Sequence, residues 1–170
     1  MIELKSERLL IRDIGEEDLK EFLDVYLSNP DFVQTMEGSK GRSGYYDLEM
    51  FQRDWHIAQM TPERHMLGIS LINEQIPIGL IDYLGENPSD GYLWLGLIMI
   101  HNDYQHRGYG KEAFCRLVKH FDAIGKELIR IGLRDQVHDL DFAKKLGFKE
   151  VSNSSKLLIQ NNLCVMELRI

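Results

Sequence analysis

The stretch that decides the fold is HNDYQHRGYGK, residues 101–111. It separates an apolar run, Tyr92 to Ile100, from a segment with apolar residues at helical spacing that ends at Gly125. This order predicts a strand, a turn and a helix. The first N–H groups of a helix have no acceptor within it, and glycine lets another molecule approach the backbone. Gly108 and Gly110 therefore fit an anion-binding turn, or more simply a connection that needs positive φ.

The composition is that of an ordinary globular protein. The chain has 170 residues, of which 44% are hydrophobic and 28% charged, so we expect one domain over residues 1–170. The net charge of -7 opposes binding to nucleic acid or to an anionic membrane and favours a cationic partner. No run of about 18 apolar residues and no secretion signal is evident, so we expect a cytoplasmic protein. The sequence leaves the oligomeric state undecided, and a homodimer is one option.

The cysteines and histidines do not suggest a metal site. Cys115 and Cys164 each lie inside an apolar pattern, and no C-x-x-C pair or Cys/His cluster has the spacing of metal ligands. We therefore expect no metal and two reduced thiols in the core. Because Cys115 falls within a helical pattern, a cysteine acyl-enzyme is not expected.

Apolar periodicity predicts seven strands and four helices. The strands are Arg8–Arg12, Met66–Ile72, Ile76–Leu84, Tyr92–Ile100, Leu128–Leu133, Phe148–Ser155 and Leu163–Ile170. The helices are one from Glu16 that Asn29 and Pro30 end, one over Asp47–Met60, one after the glycine turn and one over Asp139–Leu146. Short connections make the middle strands an antiparallel meander, and a helical crossover makes one pair parallel. The fold class is α/β with a mixed sheet, and residues 31–44 form a loop over it.

A nucleotide-triphosphate loop is one alternative for the glycine turn. Its pattern G-x-x-x-x-G-K-[ST] matches at Gly110 and Lys111 but fails at Gln105 and Glu112. The failure at Glu112 removes the hydroxyl that would hold magnesium.

A dinucleotide-binding turn is a second alternative. Gly108, Gly110 and Ala113 satisfy G-x-G-x-x-A, and Asp135 follows the next predicted strand. However, residues 101–107 separate the glycines from the strand, and the strand belongs to an antiparallel meander. This alternative ranks below a third one, coenzyme A.

The third alternative is based on a resemblance to a known family. HNDYQHRGYG, residues 101–110, resembles the Q/R-x-x-G-x-G/A motif of the GNAT (Gcn5-related) N-acetyltransferases. AKKLGF, residues 143–148, resembles a later helix of that family that ends in Leu-Gly-Phe before a strand. The opening SERLLIR, residues 6–12, is similar to the branch of ribosomal-protein N-terminal acetylases and small-molecule acetylases. The resemblance implies a mostly antiparallel seven-stranded sheet that is splayed at the cofactor site.

The resemblance also implies acetyl-CoA as co-substrate and a set of residues that hold it. Its pyrophosphate would bind the turn and its pantetheine arm would lie along the preceding strand, with Gln136 where many members have asparagine. The implied residues are Ile98, Met99, Ile100, Gln105, His106, Arg107, Gly108, Tyr109, Gly110, Lys111 and Gln136.

The reaction implied is direct attack by an amine on the thioester, and here the sequence departs from the family. Ala143 stands where many members have a tyrosine acid, and the strand before the turn carries no Asp or Glu. Stand-ins for the acid or base are Asp82, Tyr83 and His101, with Glu37 or Asp47 as further options. Each also fits an ordinary structural role.

Aromatic residues are candidates for the acceptor pocket. Tyr45, Tyr46 and Tyr83 fit this role, although Tyr83 also fits the core. The expected activity is N-acetylation of a protein N-terminus or a small cationic amine. The alternatives are a non-catalytic acyl-CoA-binding module and a dinucleotide-binding, Rossmann-like protein.

Overall fold

The computed structural model describes residues 1–32, 46–134, 137–151 and 163–170. The predictions for Glu37, Tyr45, Asp135 and Gln136 lie outside these residues, as does most of the predicted loop over residues 31–44.

The described strands form one mixed sheet, and four α-helices have both ends among the described residues. The strands are β1 Glu3–Lys5, β2 Leu9–Asp13, β3 Arg64–Leu71, β4 Pro77–Leu84, β5 Leu93–Ile100, β6 Leu128–Arg134, β7 Lys149–Glu150 and β8 Leu163–Arg169. The helices are α1 Leu19–Leu27, α2 Leu48–Met60, α3 Tyr109–Ala123 and α4 Val137–Lys145. All seven predicted strands are present. The eighth strand, β1, is too short for alternation to reveal it.

The strand order is β1-β2-β3-β4-β5-β6-β8-β7, and the pairing follows the predicted topology. Strands β3, β4 and β5 form an antiparallel meander. β5 and β6, which flank α3, pair in parallel, as a helical crossover requires. β8 pairs antiparallel with both β6 and β7. The mostly antiparallel mixed sheet is therefore confirmed.

Two hydrophobic cores cover the two faces of the sheet. On one face, Phe22 of α1 and Phe51 of α2 pack with sheet residues such as Leu80. On the other face, Phe114 and Phe121 of α3 are the largest helical contributors. Full burial of one such ring stabilises the fold by about 1.5–3 kcal/mol. The helical spacing of apolar residues in the sequence thus indicates which side of each helix faces the sheet.

Helix α1 ends as predicted, but Asn29 and Pro30 do more than end it. The helix closes at Leu27, and residues 30–32 are helical again. Proline suits the first turn of a helix because its missing N–H would have no partner there. α1 itself lies close to the sheet, since a Cβ on Gly68 of β3 would come within 2.2 Å of the Phe22 ring.

A bulge at Gly96 reverses the two faces of β5. The pairing with β4 passes from Leu95 directly to Leu97, so Gly96 has no Cα partner on β4. Leu95 therefore packs in the α3 core before the bulge, whereas Ile98 does so after it. Leu97 packs in the α1–α2 core.

The sheet opens between β5 and β6. Their parallel pairing includes only Leu93 with Ile129 and Trp94 with Arg130. Beyond Trp94 the strands diverge, so the remaining half of β5 has β4 on one edge and a gap on the other. The splay implied by the family resemblance is present, and the bulge at Gly96 lies where it begins.

Candidate functional site

The gap between β5 and β6 is a cleft of about 280 Å³, which we call the strand cleft. Its walls are the β5 segment from Leu95 to Ile100 and the β6 segment from Ile131 to Leu133. The remaining lining residues are Asn29, Phe32, Gln105, Phe142, Ala143, Leu146 and Phe148. A cleft with strand backbone along one wall can accept an extended ligand as a further strand would be accepted.

The backbone N–H and C=O groups of every second residue in β5 point into the strand cleft. The His101 N–H donates to the Ile78 carbonyl at 2.8 Å, so the backbone of His101 faces β4. Since backbone groups alternate along a strand, those of Ile100 and Ile98 face the cleft. Those of Met99 face β4, and a Cβ on Gly79 would lie 2.6 Å from the Met99 oxygen. Of the three strand residues predicted to meet a pantetheine arm, Ile98 and Ile100 have the suitable direction.

One of these cleft-facing groups, the Ile100 carbonyl, already accepts hydrogen bonds from two side-chain amides. The Ile100 carbonyl accepts from Asn29 Nδ2 at 3.2 Å and from Gln105 Nε2 at 3.0 Å. Gln105 Nε2 also donates to Asn29 Oδ1 at 2.8 Å. The side chain of Gln105 therefore joins the turn to the end of α1 and β5. Its backbone N–H donates to the Asn102 carbonyl at 3.3 Å, so the predicted contact of Gln105 with a phosphate is not favoured.

The glycine turn forms a cluster of outward N–H groups. His106 has φ 60° and Gly108, the residue before α3, has φ 83°, which is the left-handed region. Glu112 donates to the Gly108 carbonyl at 3.0 Å and is the first N–H of α3 with such a bond. Among the described residues, no acceptor lies opposite the amides from His106 to Lys111. Such N–H groups at a helix start bind anions.

Gly110 connects this turn to the strand cleft. A Cβ on Gly110 would lie 3.5 Å from Ile100 Cγ1 and 3.6 Å from Phe142 Cζ. A methyl group would therefore fit, but a longer side chain would fill the mouth of the cleft. Arg107 is exposed beside the turn, with its guanidinium 5.5 Å from the Tyr104 ring centre.

An acidic side chain beside the turn is fully bonded. Glu112 accepts from Ser6 Oγ at 2.8 Å, from the Arg8 N–H at 2.9 Å and from Arg8 Nε at 2.7 Å. Burial alone would raise the pKa of Glu112, but the hydrogen bonds from Ser6 and Arg8 bring it below its usual value. Arg8 also donates to the Arg107 carbonyl and lies 4.3 Å from the Tyr109 ring centre. Arg8 therefore offsets a negative charge that would otherwise face a bound anion.

A second cleft of about 440 Å³, which we call the helix cleft, lies on the α1–α2 face of β4 and β5. Aromatic side chains form much of its wall, and its charged groups are Asp54, Arg64 and Asp82. The aromatic residues of the lining are Tyr26, Phe32, Tyr46, Phe51, Tyr83 and Trp94. The helix cleft and the strand cleft share Phe32, Gly96 and Leu97. They meet at the bulge, where the Asp82 carbonyl oxygen, at 3.4 Å, is the only atom of the described residues within 4 Å of a Cβ on Gly96.

The charged groups of the helix cleft are paired. Arg64 Nη2 lies 2.6 Å from Asp82 Oδ2, and Arg64 Nε lies 3.1 Å and 3.2 Å from the two Asp82 oxygens. The hydrogen bond to Asp82 raises the pKa of Arg64, with a further contribution from the charge of Asp54. Asp54 accepts from the Tyr46 hydroxyl at 2.6 Å. Asp82 and Tyr46, both predicted from sequence, thus lie in the same cleft.

Two other predicted residues have a different environment. Asp103 N donates to His101 Nδ1 at 3.2 Å, and His101 Nε2 lies 3.3 Å from Asp24 Oδ2. His101 lines neither cleft, and both its nitrogens have partners, which disfavours a role as base. Tyr83 is 3% exposed and packs in the α3 core against His65, and its burial raises the pKa of its hydroxyl. Tyr83 also lines the helix cleft, but the burial of its side chain favours a core role.

Two further details concern catalysis. Ala143 is buried and lines the strand cleft, so this position offers no proton. Cys115 is exposed on α3, which corrects the expectation of a core thiol, and it lines neither cleft.

A family model described as an acetyltransferase (GNAT) domain matches residues 8–149. The chain belongs to the GNAT acetyltransferase family. GNAT domains transfer an acetyl group from acetyl-CoA, and this GNAT domain has the mixed, splayed sheet of that fold. The Rossmann-like alternative is wrong, because β5 with β6 is the only parallel pair among the described strands. A search among curated proteins finds no match.

Solved structures share the fold of this GNAT domain at low sequence identity. An acetyltransferase from Thermus thermophilus has a TM-score of 0.77 and 20% identity, and covers 99% of this chain and 100% of its own. The PaiA N-acetyltransferase from Thermoplasma acidophilum, in complex with coenzyme A, has 0.67 and 19%, covering 95% and 99%. RimL, a ribosomal L7/L12 alpha-N-protein acetyltransferase in complex with coenzyme A, has 0.76 and 13%, covering 99% and 98%.

None of the helices among the described residues is long and apolar enough to cross a membrane. In the same part of the chain, no group of three or more His, Cys, Asp and Glu residues is arranged to hold a metal ion.

Proposed function

We propose that this GNAT domain holds acetyl-CoA along β5 in the strand cleft and acetylates an amine that enters from the helix cleft. The observation that carries the proposal is the junction of the two clefts at the Gly96 bulge. A thioester reaching this point from one side would be exposed to a nucleophile from the other side. The coenzyme A complexes of PaiA and RimL support the choice of cofactor.

The residues present fit coenzyme A in two respects. The amides from His106 to Lys111 suit a pyrophosphate, because a helix start favours an anion by about 0.3–1 kcal/mol at exposed sites. The cleft-facing backbone groups of Ile98 and the N–H of Ile100 suit the amides of a pantetheine arm, whereas the Ile100 carbonyl already accepts from Asn29 and Gln105.

Acetyl-CoA would supply an acyl group activated as a thioester, open to attack by a neutral amine. At the bulge, Gly96 has no pairing partner on β4, so a backbone N–H there can donate to a carbonyl oxygen and polarise it. This contribution depends on the backbone and not on a side chain. Polarisation of the carbonyl by this N–H therefore does not require an acidic side chain on β5.

A cationic acceptor loses one proton to water before it attacks. We propose Asp82 as the group that accepts the second proton, which the attacking nitrogen loses as the amide forms, directly or through one water molecule. Asp82 pairs with Leu97 next to the bulge, and its carboxylate lines the helix cleft. Arg64 holds the orientation of that carboxylate with three short contacts. Because Ala143 offers no proton to the leaving sulfur, water supplies it.

The acceptor in this proposal is a protein N-terminus or a small cationic amine, and the net charge of -7 supports a cationic molecule. A second candidate is a module that binds acyl-CoA without turnover. Two observations favour it: Ala143 has no acidic group, and the charge of Asp82 is already offset by Arg64.

Calorimetry and thiol release test the proposal together. Titration with coenzyme A, acetyl-CoA and NAD should show binding of the first two only. Release of free thiol from acetyl-CoA should then accelerate when amines are added. Binding of NAD without coenzyme A would contradict the cofactor assignment. Binding of coenzyme A with no acceleration by any amine would favour the non-catalytic module.

A further inference from the structure

We infer that the helix cleft selects a small monoamine with an apolar or aromatic body and no carboxylate, a class represented by 2-phenylethylamine. The inference rests on the proposed function, since it names the acceptor of that same site. Three properties of the described lining carry it: its aromatic walls, its charge balance and the commitment of its hydrogen-bond donors.

The aromatic walls come from different elements and hold one another in place. Tyr46 is 7% exposed and stacks on Tyr26, with ring centres 4.4 Å apart and planes 26° apart. Phe32 meets Tyr26 edge to face at 5.7 Å, and Phe51 of α2 lies 6.4 Å from both tyrosines. Packed rings offer apolar area to a ligand body and attract an ammonium group at their faces.

The charged residues of the described lining match one ammonium group. Asp54 and Asp82 are two carboxylates against the one guanidinium of Arg64. Arg64 and Asp82 bond to each other, so the remaining negative charge belongs to Asp54. A polyamine or an aminoglycoside would bring several ammonium groups to one such charge. The ammonium groups beyond the first would lose water without gaining a charged partner, and this desolvation costs free energy inside a cleft.

The same balance disfavours an amino acid. Its carboxylate would face Asp54 and Asp82, while Arg64, the one cation of the described lining, is already bonded to Asp82. Like charges in a partly buried cleft repel, and a guanidinium already engaged by one carboxylate attracts a second one less.

The donors of the lining favour an apolar body over a peptide. Thr61 Oγ1 donates to the Ile57 carbonyl at 2.7 Å, and Trp94 Nε1 lies 3.0 Å and 3.2 Å from the two oxygens of Asp90. The Tyr46 hydroxyl donates to Asp54, and Arg64 Nε and Nη2 donate to Asp82. Peptide carbonyl groups would lose water at this wall and find these donors already engaged. An apolar body has no such requirement.

A panel of amines separates this inference from the proposed function. Thiol release from acetyl-CoA is measured with 2-phenylethylamine, spermidine, kanamycin, phenylalanine and a serine-initiated peptide. We expect kcat/KM for 2-phenylethylamine to exceed the others by at least about tenfold, the usual cost of one unpaired polar group. A higher value for any other amine would overturn the inference and leave the acetyltransferase activity intact.

If no amine releases thiol, the same five compounds are titrated against the protein loaded with coenzyme A. Binding of 2-phenylethylamine alone would then support the cleft assignment while the proposed catalysis fails. Stronger binding of any other compound, or no binding of 2-phenylethylamine, would overturn the inference. The neutral isostere 2-phenylethanol should compete at least about tenfold more weakly than the amine, because it lacks the charge that Asp54 attracts. Equal competition would contradict the role of Asp54.

A matched pair of variants on α2 tests Asp54 directly. Asp54→Asn should raise KM for 2-phenylethylamine about tenfold and leave the Kd of coenzyme A unchanged. Glu49→Gln makes the same charge change on the same helix, where Glu49 is exposed, and should leave KM within about twofold. An unchanged KM in Asp54→Asn would overturn the assignment. The 2-phenylethanol comparison covers the case in which this variant does not fold.

Discussion

The two clefts that meet at Gly96 are built from different parts of the chain. The strand cleft has backbone groups along β5 and a glycine turn that follows directly in sequence. The helix cleft has side-chain walls from α1, α2, β3, β4 and β5, which are distant in sequence. A site whose contacts come from backbone groups accepts many different side chains in the same positions, apart from a short motif such as the glycine turn. A site made of side chains can change its acceptor without changing the fold.

The largest effect should come from the helix cleft. Asp82→Asn removes the proposed proton acceptor and should lower kcat about 100-fold, within the range usual for general bases. The Kd of coenzyme A should not change, since Asp82 does not line the strand cleft. Steady-state kinetics measures the first quantity and calorimetry the second. Asp122→Asn, an exposed position on α3, is the control. A kcat within about threefold of that of the parent protein would show that a group other than Asp82 accepts the proton of the attacking amine.

A smaller effect should come from the mouth of the strand cleft. Gly110→Leu should raise the Kd of coenzyme A about 10- to 100-fold, the cost of losing one hydrogen bond to a charged group. Gly110→Ala is the matched control, because the added methyl meets only ordinary contacts at 3.5 Å and 3.6 Å. Gly110 has no positive φ, so neither variant strains the backbone. If calorimetry finds equal affinity for both variants, the pyrophosphate does not bind at this turn.

Arg8 should affect the same cleft more weakly and indirectly. Arg8→Ala leaves the charge of Glu112 unbalanced beside the turn and should raise the Kd of coenzyme A roughly fivefold, or about 1 kcal/mol. Adding Glu112→Gln removes that charge and should restore the Kd to within about twofold. Both variants are measured by calorimetry at low salt, where charge effects are largest. If Arg8→Ala weakens binding equally in both backgrounds, Arg8 contacts the phosphate itself.

The smallest effect concerns stability at acid pH. The pKa of Glu112 is lowered in the folded protein, so its bonds stabilise the fold above the unfolded-state pKa and are lost as pH falls. Glu112→Gln should therefore lower stability by about 1 kcal/mol at pH 7. The difference should shrink below about pH 4, where the glutamate of the unfolded chain is protonated. Thermal unfolding of both proteins across this range measures it, and a constant difference at pH 3 would contradict the assignment.

The strand cleft was largely predictable because its determinants are local. The apolar run of β5, the two glycines and the amphipathic α3 are consecutive, and periodicity alone orders them. The direction of side chains was not predictable. Gln105 fits the motif, yet its side chain turns inward to the Ile100 carbonyl. Ser6 and Arg8 bond to Glu112 from about a hundred positions away, and no spacing rule indicates such a contact.

The helix cleft was predictable only in part. Asp82 and Tyr46 were candidates by residue type, and both lie in the cleft. The same reasoning also chose Tyr83, which lines the helix cleft but packs its side chain in the α3 core, and His101, which lines neither cleft. The alternation of β4 sends Tyr83 to the α3 core, and the turn after β5 occupies His101 with Asp103 and Asp24. Asp54 and Arg64 were missed because nothing in their local pattern distinguishes them from solvated charges.

The most direct test of the account is a crystal structure with a non-hydrolysable acetyl-CoA analogue in which a methylene group separates sulfur and acetyl. We expect the pyrophosphate within hydrogen-bond distance of amides between His106 and Lys111, and the acetyl carbonyl at Gly96, facing the helix cleft. An analogue whose acetyl group lies away from Gly96, or whose pyrophosphate lies away from the turn, would contradict the account.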